Sequence, residues 1–118
     1  MKRLVSVWNQ SHSSPVAQSV EIADSSLRRA VGLLGRRMLD AEEGLWIRPC
    51  SGVHTFGMAF AIDVVGLDGD WRVTKLWQNL RPHRMTSLVP RVRSVIELPA
   101  GSIDNRSIHL GDVLELQE

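Results

Sequence analysis

Eight consecutive residues, Phe60-Ala61-Ile62-Asp63-Val64-Val65-Gly66-Leu67, constrain this chain more than any other segment. The run is apolar and β-branched almost throughout, which reads as a strand buried on both faces. Asp68-Gly69 separates it from Trp71-Arg72-Val73, the strongest hairpin signal in the sequence. Trp71 to Leu80 is then the returning strand, ended by Arg81-Pro82. A two-residue turn would set Leu67 opposite Asp70 and Asp63 opposite Thr74, with Arg81 near position 56.

The remaining segments extend this sheet. Arg3 to Trp8 and Val16 to Ala23 read as strands joined into a hairpin by the polar, turn-rich loop Asn9 to Pro15. Asp24-Ser25-Ser26 offers helix caps, and Leu27, Ala30 or Val31, Leu34 and Met38 recur at helical spacing. Gly44 to Arg48, Arg91 to Leu98 and Val113 to Leu116 are further short strands, and Ser102 can start one turn of helix. About seven strands, one helix and a short helical turn make a mainly-β small sandwich or partly closed barrel. At 118 residues the chain reads as a single domain, 1–118.

Composition narrows the function classes. The long uncharged run Pro49 to Ile62 contains Ser, Gly, His and Thr, and no segment reads as a membrane span. The apolar stretch after Met1-Lys2-Arg3 stops at Asn9-Gln10-Ser11-His12, too early for a signal peptide, and a cytoplasmic monomer is the expectation. A single cysteine, Cys50, excludes an intramolecular disulfide and any multi-cysteine zinc site; no cofactor and no metal are expected. Net charge is only +1, yet its distribution is uneven. Six basic residues and no acid lie between Trp71 and Ile96, whereas Glu97 to Glu118 holds five acids and one base. Twelve of the fourteen basic residues are Arg, the side chain best suited to bidentate contact with carboxylate or phosphate.

Five ordered blocks carry a family resemblance. They are Arg29-Ala30-Val31-Gly32-Leu33-Leu34-Gly35-Arg36, Glu43-Gly44-Leu45-Trp46-Ile47-Arg48-Pro49-Cys50, His54-Thr55-Phe56-Gly57-Met58 with Ile62-Asp63-Val64-Val65, Ser94-Val95-Ile96-Glu97-Leu98-Pro99-Ala100-Gly101, and Leu110-Gly111-Asp112. Together they resemble the bacterial and archaeal family known as domain of unknown function 192. The resemblance implies a mainly-β domain with a short helical excursion, and no established activity. Many relatives carry Arg and Pro where this chain has Ala59 and Ala61.

The chemistry-bearing residues concentrate in the central block. An acid inside an apolar strand needs compensation, so Asp63 calls for backbone N–H groups, His54 or an Arg. His54, Thr55, Met58, Asp63, Arg81 and Arg84 are the candidate ligand-binding residues, with Asp63 as the floor of a pocket and Arg81 on its rim. They suit a non-enzymatic module that binds a small anionic ligand or a partner protein. Two alternatives use overlapping residues. A small hydrolase would employ Cys50 as nucleophile with His54 and Asp63. A single-stranded nucleic-acid binder would use the basic segment Arg72 to Arg93 with Trp8, Trp46, Trp71 and Trp77 as stacking platforms. The more ordinary role for these Trp rings is core or rim.

Overall fold

A computed structural model describes residues 3–24, 33 and 36–117. The helix expected over Leu27 to Met38 lies mostly outside the described residues. The strands are β1 (Leu4–Asn9), β2 (Ser14–Ala23), β3 (Glu43–Ile47), β4 (Ile62–Leu67), β5 (Val73–Leu80), β6 (Ser94–Pro99) and β7 (Leu114–Gln117), with helical turn α1 (Ser102–Asn105) before β7. They form one sheet in the order β5-β4-β6-β3-β2-β1-β7. A bridge between Arg72 and Val113 brings its two edges together, and Val73 donates its N–H to Asp112 O at 2.7 Å. The sheet is therefore curled into a partly closed barrel, which discharges much of the edge-strand hydrogen-bonding capacity.

β4 is the strand its composition calls for: all six residues are buried, between β5 and β6. Its alternate residues enter two apolar clusters. Val65 and Leu67 join Val7, Val20, Trp46, Ile96 and Leu114 in one; Ile62 and Val64 join Leu45, Met58, Val92 and Val95 in the other. Trp46 is fully buried, donates Nε1–H to Ser94 Oγ at 2.9 Å, and meets Trp71 edge-to-face at 5.2 Å. β1 and β2 form the expected antiparallel hairpin, and β2 and β3 are paired in parallel.

The β4–β5 hairpin differs from expectation. Leu67 pairs with Val73, not Asp70, so the loop holds the five residues Asp68 to Arg72. Asp68 Oδ1 accepts the N–H groups of Asp70 and Arg72 at 2.9 and 3.0 Å, an Asx-type turn that a two-residue loop has no room for. The extra length also frees the Trp71 backbone for β7, whose Leu114 N–H donates to Trp71 O at 2.9 Å. A further irregularity follows Ile62↔Leu80, since Val64 already pairs with Trp77. Asp63 consequently lies beside this bulge and not opposite Thr74.

Candidate functional site

The loop after β3 and the loop after β5 leave opposite ends of the sheet and run antiparallel to each other. Cys50 N–H donates to Arg93 O, Val89 N–H to Ser51 O, Thr86 N–H to Val53 O and Thr55 N–H to Arg84 O, at 2.7 to 3.0 Å. Side chains reinforce the ladder: Ser51 Oγ donates to Val92 O at 2.8 Å, and Thr86 Oγ1 accepts Val53 N–H at 3.0 Å. At Gly52 a Cβ would lie 2.9 Å from Thr86 Oγ1 and 3.0 Å from Ser87 O, so the close approach of the two loops requires glycine there.

Thr55 locks the far end of this ribbon. It is fully buried; its Oγ1 donates to Arg81 O at 2.5 Å and accepts Arg84 N–H at 2.9 Å. Thr55 O accepts the N–H of His83, a residue held at φ 62. One threonine thus sets the path of the whole 81–84 turn. Arg81 does lie against the His54 loop, as expected, through its carbonyl and not through a register position.

The six sequence candidates divide by burial. His54, Arg81 and Arg84 are exposed, whereas Thr55, Met58 and Asp63 are buried. Met58 packs in the second apolar cluster. Phe56, Met85 and Leu88 on the same two loops are also exposed, and the His54 and Phe56 rings lie 5.6 Å apart at 30°. The uncharged run Pro49 to Ile62 and the acid-free run Trp71 to Ile96 supply both sides of the ribbon. The fold therefore places four arginines, Arg81, Arg84, Arg91 and Arg93, on a surface segment that contributes no carboxylate of its own.

Asp63 is compensated by backbone alone. Its Oδ1 accepts Asn79 N–H at 2.8 Å in the β5 bulge, and its Oδ2 accepts Ile103 N–H at 2.9 Å at α1. With both oxygens held in this way, neither His54 nor Arg81 is its partner, and its evident work is to tie β5 and α1 to β4. Among the described residues, two clefts lie elsewhere, one of about 580 Å³ along Leu76, Gln78, Ile103, Asp104 and Ile108, the other of about 390 Å³ along Arg48, Trp71 and Arg93. Asp63 lines neither. Cys50 is half-buried and directs its thiol to Gly52 O at 2.8 Å, so the Cys50–His54–Asp63 arrangement is not assembled. The four tryptophans are buried or half-buried; Trp71 and Trp77 pack on the apolar clusters, which leaves no row of open rings for base stacking.

Sequence reasoning missed two features. Glu97 in β6 is 3 % exposed and makes no hydrogen bond or ion pair among the described residues; burial pushes its carboxyl up to about 7. A second cluster joins residues about a hundred positions apart. Asp112, just before β7, accepts from Asn9 Nδ2 and His109 N–H at 2.9 Å and lies 3.0 Å from His12 Nε2. Burial raises its carboxyl, but the hydrogen bonds from Asn9 and His109 and the proximity of His12 outweigh it and hold it below the usual value. Neither feature has a spacing signature; the one available hint was an acid in the apolar run Ser94 to Leu98.

Among the described residues, no helix is long and apolar enough to cross a membrane. In fold the chain is similar to a crystal structure of a protein of unknown function from Novosphingobium aromaticivorans (TM-score 0.82, 23 % identity, 97 % of this chain and 84 % of that one). It is also similar to a Sinorhizobium meliloti protein provisionally described as a transcription regulator (TM-score 0.77, 21 % identity, 98 % and 94 % covered). In sequence it is similar to UPF0127 proteins of Pyrococcus horikoshii (31 % identity, 92 % of this chain, 96 % of the relative) and Pyrococcus abyssi (32 %, 92 % and 95 %). Residues 7–116 match the family model DUF192, Uncharacterized ACR, COG1430. The chain belongs to the DUF192 family.

Proposed function

We propose that this protein is a non-enzymatic binding module that takes a small anionic ligand on the ribbon formed by residues 50–58 and 81–93. His54, Arg81 and Arg84 make the contacts, Thr55 and Met58 hold their loop in shape, and Asp63 supports the sheet beneath. The observation that carries this reading is the Thr55 lock, which fixes the Arg81–Arg84 turn beside the His54 and Phe56 rings. An arginine on a fixed turn loses less freedom on meeting a carboxylate or phosphate than one on a loose chain, and its fork favours both anions. Engagement of the Cys50 thiol and of both Asp63 oxygens within the fold supports binding over hydrolysis. Pairing of β1 with β7 supports treating 1–118 as one domain, and we place it in the cytoplasm as a monomer.

Titration with inorganic phosphate and with benzoate, followed by backbone amide NMR, tests the proposal. Shifts should concentrate at residues 51–58 and 81–93 and vanish in the Arg81→Ala/Arg84→Ala double variant. Absence of saturable shifts there with both anions, or shifts that survive the double substitution, would overturn it. A thymidine oligonucleotide serves as the competing arm: tight binding dependent on Arg72 and Lys75 would favour the nucleic-acid alternative.

A further inference from the structure

β1 ends at Asn9 and turns through Gln10 to Ser13 into β2, while His109 to Asp112 turns the chain into β7. The two turns are clasped: Gln10 N–H donates to Val113 O at 2.8 Å, and Val113 N–H to Ser11 Oγ at 2.9 Å. His12 and His109 therefore meet above the buried carboxylate of Asp112, their ring centroids 5.8 Å apart at 62°. Both imidazoles are exposed and can rotate, whereas Asp112 is 6 % exposed and pinned.

The two carboxylate oxygens have different duties. Oδ2 accepts Asn9 Nδ2–H and His109 N–H, both at 2.9 Å, which fixes the carboxylate plane. Among the described residues, Oδ1 meets His12 Nε2 alone, at 3.0 Å. One ligand atom each from His12, His109 and Asp112 lies within 4.8 Å of the others, the only such trio of His, Cys, Asp or Glu among the described residues. Two ligands about 2.0 Å from a tetrahedral zinc ion stand about 3.3 Å apart, so modest rotation of the exposed imidazoles completes the geometry. The residue behind the carboxylate is Asn9. Asn9 is fully buried beneath the cluster, and while its Nδ2 serves Asp112, its Oδ1 has no hydrogen-bond partner. A buried acceptor without a donor costs stability until something supplies one.

We propose that His12, His109 and Asp112 form a binding site for a divalent transition metal of the zinc class, with a fourth position open to water. Two imidazoles and one carboxylate suit zinc, nickel or copper(II) and disfavour calcium and magnesium, which prefer all-oxygen shells. Asn9 orients the carboxylate, the usual office of a residue behind a metal ligand. The site joins the β1–β2 turn to the lead-in of β7, beside the seam where the sheet closes, and uses none of the residues of the proposed anion ribbon. Bound metal therefore acts on the folded state and leaves the anion surface unchanged.

The test is zinc titration of the whole protein by competition with a chromophoric chelator, with thermal unfolding in parallel. Wild type should bind one equivalent of zinc, and its unfolding midpoint should rise by several degrees. His12→Ala and His109→Ala should each weaken binding about ten-fold or more. His54→Ala and His83→Ala, which alter exposed histidines outside the cluster, should leave it unchanged, and calcium should not compete. All four variants change exposed side chains, and circular dichroism is used to check that each is folded. Failure of wild type to bind zinc, or equal weakening by His54→Ala and His12→Ala, would overturn the proposal.

Discussion

Glu97→Gln should remove a pH dependence that the fold imposes on itself. Glu97 sits in β6 between two strands, opposite Leu45 of β3 and Val64 of β4, both members of the second apolar cluster. Desolvation disfavours its ionised form and raises its carboxyl from 4.5 to about 7. Below 4.5 the group is protonated in folded and unfolded chains alike and contributes nothing to pH dependence. Between 4.5 and about 7 the unfolded chain releases the proton while the folded chain keeps it, so stability falls as pH rises. Above about 7 the buried carboxyl ionises as well and the penalty stays constant. At about 1.4 kcal/mol per pKa unit, the full penalty is about 3 kcal/mol, a large part of a small domain's stability. Glutamine keeps the shape without the charge. Urea unfolding of both proteins across this range should show the advantage of the variant growing by about 3 kcal/mol between the acid and alkaline ends. Using the difference between the two proteins cancels Asp112, whose lowered carboxyl acts in the opposite sense: its stabilisation is present above 3.8 and is lost as pH falls through its folded value. A difference that stays constant with pH would refute the reasoning, because it would mean that Glu97 ionises in the fold as readily as in the unfolded chain.

Asp63→Ala should destabilise by about 2–5 kcal/mol, since it strips the acceptor from two N–H groups, and Asp63→Asn should cost less because its amide oxygen retains one of them. Urea unfolding checks both; losses within about 0.5 kcal/mol for each would mark the carboxylate as dispensable. Thr55→Ala should loosen the Arg81–Arg84 turn, and hydrogen exchange at the His83 and Arg84 amides should accelerate by about ten-fold. Thr55→Ser keeps the hydroxyl and should restore most of the protection; equal exchange in all three proteins would show that the lock lies elsewhere.

The sequence alone determined what depends on neighbours in the chain. Alternation and β-branching over Arg3 to Ala23 specified the first hairpin, and the unbroken apolar run ending at Leu67 specified a strand covered on both faces, because side-chain period and burial are local consequences of composition. The five blocks from Arg29 to Asp112 carry the family resemblance, a property of local sequence. Tertiary structure decided whatever depends on distant partners. The β4–β5 loop has five residues and not two, because Asp68 caps it and the Trp71 backbone serves β7, a strand more than forty positions away. Local turn statistics carry no knowledge of that demand. Asp63 was legible as an acid needing compensation, but its donors at Asn79 and Ile103 come from a bulge and a helical turn that only the assembled sheet positions. Thr55 and Arg84 look alike as polar loop residues in the sequence; packing buries the first and exposes the second, and burial is a property of the whole fold. His12, His109 and Asp112 left no trace in sequence spacing, because the closing of the sheet, with β1 paired to β7, is what brings the two ends of the chain together.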